Sequence, residues 1–430
     1  MITNTTNWTK TRKFLNDIHL WIGLASGLIV FAVCLSGTIY VFNTEIREAA
    51  TPELFKVIPA ADGRKIAGAQ LITRVEAASG GKVVSVKIPA DAARSWQLNV
   101  KKPVENDGAK GGSARPTVYY VNPYNAAILG NSGEIKSGTV TFMTYMFSLH
   151  RWLILDKIEK PIFGELENRK LGSYITGTAT ILFTIGVITG MVIWFPRKVR
   201  AWKQGFKIKW SSNWKRINHD LHNSLGLYAC VFLFIMGITG PQWSFEWYRT
   251  GLKKTLGTYK PEKAAKPKGK SSSEKWPVAA IPSREPQKID LDAYQAAAAK
   301  IFNFKGDVMI SLPAVAGEEV SITKFKAGFF APAAADRLAL EQFTYKVIRV
   351  ERFADMPFNE RVSASIKALH MGDVYGMFTK IIYFLACLIA TSLPVTGTLI
   401  WINKMKKNKP KSKLVLNQNI KVAETTLPII

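Results

Sequence analysis

Cysteine and histidine are both scarce in this sequence of 430 residues, which contains three cysteines and five histidines. All three cysteines, Cys34, Cys230 and Cys387, fall within long apolar stretches. A disulfide framework or a thiolate metal site needs cysteines that cluster or lie in loops, so we predict packing roles for these three. The sequence also lacks a Gly-x-Gly-x-x-Gly or comparable fingerprint, which leaves no sign of a bound dinucleotide.

Acidic residues are few as well. The chain has 31 Asp and Glu residues against 58 Lys and Arg residues, which gives a formal net charge of +27 at pH 7. The basic residues cluster at residues 10–13, 197–216 and 404–413, beside apolar stretches. Membrane proteins carry their cations in this way on the cytoplasmic side of the bilayer. We therefore predict the lipid bilayer as the partner of this charge, and no nucleic acid.

Four apolar stretches are long enough to cross a bilayer, and they lie at about residues 20–43, 173–195, 224–245 and 377–402. The basic clusters predict that both chain termini and the central loop are cytoplasmic and that the two long connecting segments lie outside. The first stretch is too long for a secretion signal and no clear cleavage site follows it, so we predict a retained helix.

The two halves of the sequence are similar to each other. Alignment of His19 on His222 also aligns Gly37 with Gly240, and both closing apolar stretches contain Thr-Gly-x-x-Ile-Trp. Each outer segment has a helical stretch followed by strands of alternating polarity. The predicted fold class is an α-helical membrane protein with four transmembrane helices in two pseudo-repeats, plus two extracytoplasmic α+β domains.

These features predict the domain boundaries. The predicted segments are a cytoplasmic N-terminus with the first span (1–45), a first outer domain with an interfacial segment (46–172), the second span (173–196), a basic cytoplasmic loop (197–218), the third span (219–247), a second outer domain (248–376), the fourth span (377–403) and a cytoplasmic tail (404–430).

All five histidines lie at or near the end of an apolar stretch. Imidazole binds iron well and is costly to hold at a bilayer edge, so this placement indicates ligand roles. His19 and His222 begin spans that enter from the cytoplasm, whereas His150 and His370 precede spans that enter from outside. We predict that His19 and His222 are the axial ligands of an inner haem iron, and that His150 and His370 are those of an outer one. Iron held by two imidazoles suits electron transfer, and we predict no catalytic side chain.

Glycines near these histidines extend the hypothesis. Gly23 and Gly226 follow their histidines by about one helical turn. Gly37 and Gly240 follow the same histidines by about five turns and lie on the same helix faces. We predict that these four glycines leave room for the flat macrocycles. The alternative is that small residues simply let membrane helices approach one another.

Basic residues beside the histidines are candidate contacts for haem propionates. These are Arg12, Arg216 and Arg151. The alternative is that they are cations that extend toward water from helix ends, which is common in membrane proteins.

Two histidines leave alternatives open. His219 lies three residues before His222 and shares its helix face, so it is an alternative inner ligand, although the repeat favours His222. His150 precedes its span by more than 20 residues. We therefore predict a short interfacial or re-entrant segment at 142–155.

Two phrases resemble those of a known family. Residues 17–24 read Asp-Ile-His-Leu-Trp-Ile-Gly-Leu, and residues 368–376 read Ala-Leu-His-Met-Gly-Asp-Val-Tyr-Gly. With the order of helix, α+β domain and helix, the chain resembles the PepSY-associated transmembrane family over most of residues 10–405. Its members include inner-membrane ferrisiderophore reductases with b-type haems. The resemblance implies PepSY-like outer domains, two b-type haems per chain and a multi-pass protein of the bacterial inner membrane.

We predict transmembrane electron transfer that reduces a ferric siderophore or another ferric chelate outside the membrane to Fe(II) for iron acquisition. The chain is then a membrane-bound ferric-chelate reductase. Because no dinucleotide fingerprint is present, an unidentified cytoplasmic electron donor is expected. The alternative is a membrane-anchored PepSY binding or regulatory protein without redox activity. A transporter is disfavoured by the small number of spans and of intramembrane charges.

Overall fold

The structure, a computed structural model, describes residues 7–102, 116–195, 202–261, 289–313, 317–326 and 335–407. Its helices are α1 (Asn7–Tyr40), α2 (Asn43–Ala50), α3 (Pro52–Phe55), α4 (Gly68–Ser79), α5 (Gly138–Trp152), α6 (Asn168–Trp194), α7 (Trp202–Gly205), α8 (Trp214–Thr239), α9 (Glu246–Thr255), α10 (Leu291–Ile301), α11 (Phe358–Met371) and α12 (Met377–Lys407). Its strands are β1 (Lys82–Ile88), β2 (Trp96–Lys101), β3 (Thr117–Val121), β4 (Ile128–Asn131), β5 (Val308–Ser311), β6 (Val320–Phe325), β7 (Ala335–Leu340) and β8 (Val347–Glu351). Most of the predicted tail (404–430) and part of the predicted basic loop (197–218) lie outside the described residues.

Four of these helices, α1, α6, α8 and α12, are long and apolar enough to cross a membrane. They cover most of each of the four predicted stretches, with shifted ends. Helix α8 begins ten residues before the predicted 224 because Asn213 caps it, accepting a hydrogen bond from the backbone N–H of Arg216. It ends at Thr239, since Gly240 and Pro241 follow and proline cannot continue the ladder of helix hydrogen bonds.

The four long helices form a square bundle. Helices α1 and α8 each pack along both α6 and α12, which places α1 and α8 at opposite corners. Small side chains line the contact between α8 and α12, where Ala229, Leu233, Ala386 and Ala390 are buried together. Small residues let membrane helices approach closely, which is how helices pack in the absence of a hydrophobic driving force.

All eight described strands form one antiparallel sheet with the order β4-β3-β2-β1-β5-β6-β7-β8. Strands β1 and β5 pair at its centre, with Val86 opposite Ile310. The outer segments, predicted as two separate α+β units, therefore share a single sheet. This pairing uses the backbone groups that two separate units would each leave exposed along an edge strand.

One face of the sheet holds the outer core. Helices α4 and α10 cover this face, and side chains such as Val86, Leu98, Ile310 and Ile322 are completely buried there. The residues next to them along each strand point to the opposite face, as in any strand. That face is polar, and directly paired residues form a row across four strands that consists of Asn99, Ser85, Ser311 and Ser321.

The same order of elements occurs in the first half of the chain (7–195) and the second half (202–407). Each half has a long helix, a short helix, a helix on the sheet, four strands, a short helix and a second long helix. Two short helices, α3 in the first half and α7 at the start of the second, have no counterpart among the described residues of the other half. The two short helices before the closing spans, α5 and α11, connect the sheet to the bundle.

We expect Ile310→Ala to destabilise the outer sheet by about 2–5 kcal/mol, because Ile310 is completely buried at the pairing of β1 with β5. Denaturant unfolding of the detergent-solubilised protein, followed by the strand signal in circular dichroism, measures this loss. Ile348→Ala is the matched control, since Ile348 lies on edge strand β8 and is 55% exposed. It should change the stability by less than about 0.5 kcal/mol. Equal losses in the two variants would contradict this account of the core.

Candidate functional site

The four histidines predicted as ligands lie in two close pairs. The ring centroids of His19, on α1, and His222, on α8, are 6.2 Å apart, with an angle of 81° between the ring planes. The ring centroids of His150, on α5, and His370, on α11, are 6.3 Å apart, with an angle of 60°. The structure thus brings together the same residues that we paired by depth and repeat. Each pair joins one residue of the first half to one of the second.

In the inner pair, each ring is held through Nδ1 by the closing span of its own half. Nδ1 of His19 lies 3.0 Å from the carbonyl oxygen of Gly186 and 3.1 Å from the hydroxyl of Thr189, both on α6. Nδ1 of His222 lies 2.9 Å from the hydroxyl of Thr396 on α12. Because that hydroxyl already donates to a backbone carbonyl of α12, it accepts from His222.

The outer pair is held in the same way by the opening spans. Nδ1 of His150 lies 2.9 Å from the carbonyl oxygen of Val33 on α1, and Nδ1 of His370 lies 3.0 Å from the hydroxyl of Thr239 on α8. Burial lowers the pKa of His150 and lowers that of His370 to about 3, so both rings are neutral near pH 7. None of the four rings has a hydrogen bond at Nε2 within the described residues, which leaves that nitrogen available as a ligand.

Each inner ring also packs against a glycine. A Cβ at Gly190 would lie 3.1 Å from Cε1 of His19, and a Cβ at Gly397 would lie 3.2 Å from Cε1 of His222. A side chain at either glycine would press against the ring. Our sequence analysis did not assign these glycines to the site, although the repeated Thr-Gly-x-x-Ile-Trp phrase contained the signal for both.

The outer rings pack against two glycines that were predicted. A Cβ at Gly37 would lie 3.1 Å from Cε1 of His150, and one at Gly240 would lie 3.4 Å from Cε1 of His370. The structure therefore places these two glycines beside the outer histidines, where they make room for the imidazoles.

The other two predicted glycines lie in more open surroundings. A Cβ at Gly23 would meet nothing within 4 Å, and one at Gly226 would meet only Leu393, at 3.7 Å. Neither glycine is therefore required by contacts within the protein. Open space beside the inner pair is consistent with a bound group there, and equally with lipid.

All three predicted arginines have partners in the protein. Arg12 donates to the carbonyl oxygen of Ile193 in the last turn of α6, at 2.8 Å. Arg216 forms an ion pair of 2.8 Å with Asp220. Arg151 donates to the carbonyl oxygen of Trp243 at 3.3 Å. The structure thus gives each arginine a contact that needs no propionate.

A cavity between the spans surrounds the outer pair. Its volume is about 140 Å³, and part of it is open to the surroundings. Both outer histidines, His150 and His370, line it together with Gly37, Gly240 and Arg151, and apolar side chains of the four spans form most of the remaining wall. A mostly apolar wall with a few polar groups is typical of cofactor sites.

The structure separates His222 from its alternative, His219. The ring of His219 lies 3.6 Å from Asp220, and its side chain is 56% exposed, whereas His222 faces His19 in the inner pair. His219 therefore has the surroundings of a polar residue at the membrane interface.

The segment that carries His150 is helical. We predicted a short interfacial or re-entrant segment at 142–155, and α5 occupies most of it. The chain reverses directly after α5, where Leu153 and Ile154 have φ values of 53° and 64°, in the left-handed region. This reversal lets His150 reach the cavity more than 20 residues before the following apolar stretch.

Fold and site define a helical membrane protein with a square four-helix bundle, an antiparallel sheet and two histidine pairs, each formed between the first and the second half of the chain. The model of the PepSY-associated TM region matches residues 17–404, which is most of the chain. The chain belongs to this family. No curated protein matches it.

We expect Gly172→Ala to destabilise the packing of α5 against α6, because a Cβ at Gly172 would collide with the backbone oxygen of Trp152. Overpacking of this kind costs about 1–3 kcal/mol. Thermal unfolding in detergent, followed by tryptophan fluorescence, measures the loss. The control is Gly186→Ala on the same helix, where a Cβ would meet nothing within 4 Å, so the melting temperature should be unchanged or higher. A lower melting temperature in both variants alike would contradict the proposed packing.

Proposed function

We propose that this protein carries electrons across the bacterial inner membrane through two b-type haems and reduces a ferric chelate on the outer side. His19 and His222 hold the inner haem, and His150 and His370 hold the outer one. The observation that carries the proposal is the spacing of the two histidine pairs, each formed across the boundary between the two halves.

The spacing fits an iron between the rings. A metal–imidazole bond is about 2 Å long, and the nitrogen lies about 1 Å from the ring centre, so two imidazoles on opposite sides of one metal have centroids about 6 Å apart. The centroid separations in the two pairs are 6.2 Å and 6.3 Å. If the two rings of each pair only packed against each other, nothing would require both pairs to have this distance between ring centroids.

The hydrogen bonds fit the same role. A ligating histidine usually donates its second ring N–H to a carbonyl, carboxylate or water, which fixes the tautomer and the orientation of the ring. Here Nδ1 of all four rings is hydrogen-bonded to a helix carbonyl or hydroxyl. Nε2 is left to bind the iron.

The surroundings of the outer pair complete the fit. The wall of the cavity is mostly apolar, and both imidazoles line it. Arg151 is the cation in that wall, and we assign it to the propionates. When bound, the two haems supply one-electron redox centres near the two faces of the membrane.

The direction of transfer follows from the topology. The basic clusters favour a cytoplasmic location for both termini and the central loop, so the haem held by the inner pair would receive electrons from a cytoplasmic one-electron donor. The outer pair lies beneath the sheet, whose two halves we interpret as PepSY-like domains of a duplicated unit that guide the chelate. Oxygen ligands of a siderophore are hard donors that hold Fe(III) more tightly than Fe(II), so adding one electron weakens the complex.

The haem content of histidine variants tests the proposal. We expect two haems per chain in the purified protein, and one in both His222→Ala and His370→Ala, because each removes one axial ligand of one site. His219→Ala is the control and should keep both haems. Absorption spectra of the oxidised and reduced protein, with haem measured per chain, give the count.

Two outcomes would contradict this proposal. A colourless protein from haem-sufficient cells would favour the membrane-anchored PepSY binding protein without redox activity. Loss of haem from His219→Ala but not from His222→Ala would move the inner ligand to His219.

Reduction across a membrane tests the direction. In vesicles loaded with a membrane-impermeant reductant, we expect the intact protein to reduce a ferric trihydroxamate outside, as measured by a colorimetric Fe(II) chelator. His370→Ala should lower this rate to the background of empty vesicles, while the inner haem still becomes reduced. Undiminished iron reduction in His370→Ala would show that the outer pair is not on the electron path.

A further inference from the structure

A cluster of three charges lies at the outer end of the bundle, with Lys380 buried and its two carboxylate partners partly exposed. Nζ of Lys380, on α12, lies 2.6 Å from Oε1 of Glu45, on α2, and 3.1 Å from Oδ1 of Asp373, in the turn between α11 and α12. Lys380 is only 8% exposed. The cluster thus joins the first half of the chain to the second and carries a net charge of −1 when both carboxyl groups are ionised.

The cluster lies close along the chain to the wall of the cavity around the outer histidine pair. Val41, Met371 and Tyr383 line that cavity. Glu45 follows Val41 by four residues, Asp373 follows Met371 by two, and Lys380 precedes Tyr383 by three. Each charged residue is therefore within four residues of a side chain in the cavity wall.

The positions that match this cluster in the sequence alignment of the two halves carry no such charges. The alignment of His19 on His222 matches Glu45 with Tyr248, and the alignment of the two Thr-Gly phrases matches Lys380 with Ser173. Ser173 donates to the hydroxyl of Ser244 at 3.1 Å, and Tyr248 donates to a backbone carbonyl. Hydroxyl contacts therefore stand at one set of matching positions and ion pairs at the other.

One carboxyl group in the cluster is poorly stabilised as an anion. Burial raises the pKa of Asp373, although Lys380 lies beside it, and the charges of Glu45 (raising) and Lys367 (lowering) also act on it. In addition, Oε2 of Glu45 has no hydrogen-bond partner among the described residues. Two carboxylates share one ammonium group, which favours the uptake of a proton. The side chain of Asp373 is 18% exposed, so this proton can come from solvent.

We propose that this cluster is the proton acceptor of the outer redox centre, with Asp373 taking up one proton from the outer solution when that centre gains one electron. The inference rests on the proposed function. The electron comes from the inner centre and ultimately from the cytoplasmic one-electron donor. When the electron leaves to Fe(III), which becomes Fe(II), Asp373 returns its proton to the outer solution. Uptake of the proton balances the negative charge that would otherwise be added to a cavity of low polarity.

The sign of the effect follows from linkage. An added electron raises the affinity of Asp373 for a proton, so the reduced state binds more protons than the oxidised state within a window of pH. The midpoint potential of the outer centre therefore falls as pH rises within that window. The limit is about 59 mV per pH unit, which is a tenfold change in proton activity converted for a one-electron couple.

Redox titration of the full-length holoprotein at a series of pH values tests this. We expect the potential of one haem, the one lost in His370→Ala, to depend on pH, and that of the other haem to depend on it much less. Asp373→Asn should remove this dependence, while Lys380 keeps its partner Glu45. Glu45→Gln should move the window to lower pH, since it removes a negative charge beside Asp373.

Glu48→Gln is the matched control, because Glu48 lies on α2 one turn from Glu45 and pairs with Arg94 at 2.6 Å, outside the cluster. It should leave the pH dependence unchanged. Redox-difference infrared spectra provide a second readout, in which a carbonyl band of a protonated carboxyl group should appear on reduction and be absent from Asp373→Asn.

The outcomes separate the two proposals. A protein with two haems whose outer potential does not vary with pH overturns the proton site and leaves the proposed function intact. The same holds if the pH dependence and the infrared band persist in Asp373→Asn. A protein without haem overturns both.

Discussion

The hydrogen bond from Nδ1 of each histidine to a neighbouring span is the interaction on which the rest of this structure depends. It fixes the ring to its own half of the chain and leaves Nε2 available toward the other half. Four such bonds, to Gly186, Val33, Thr239 and Thr396, produce two imidazole pairs at the boundary between halves. The acceptors are helix carbonyls and hydroxyls that the helices hold in place. Rotation of a ring would break its bond and leave Nδ1 unpaired in an apolar interior, which is costly.

The pairs also require that the two halves keep a fixed relation to each other. Two features of the structure supply it at different heights. Outside the spans, β1 pairs with β5, so the sheet continues from one half into the other. At the outer end of the bundle, Lys380 links α12 to Glu45 of the first half. The strand pairing, the ion pair and the packing of α1 and α8 against α6 and α12 hold the two halves together. The histidines therefore face each other without depending on contacts between the rings themselves.

Much of the site could be predicted from the sequence because residues that align in the two halves are expected at matching places in the helix bundle. The alignment of His19 with His222, and the depth of His150 and His370, named the pairs, and the same alignment identified Gly37 and Gly240. The joined sheet could not be predicted, since alternating strands indicate which residues are buried but not which edge meets which. The partners of Arg12 and Arg216 also escaped prediction, because a cation at a helix end serves a carbonyl, a carboxylate or a ligand equally well. Gly190 and Gly397 could have been predicted as site residues, because the repeated Thr-Gly-x-x-Ile-Trp phrase contains both.

The departure from symmetry between the charged cluster and its matching positions is as informative as the symmetry itself. Burial of a lysine beside two carboxylates costs desolvation energy that apolar side chains of similar volume avoid, so such clusters are poor devices for stability. The hydroxyls of Ser173 and Ser244, at the matching positions, make a contact without that cost. The charge nearest to those hydroxyls is Arg151, which donates to the carbonyl oxygen of Trp243, the residue before Ser244. The two sets of matching positions therefore differ in the sign of their nearest charge, and under the proposed function a change of charge inside the cavity would act on the proton of Asp373.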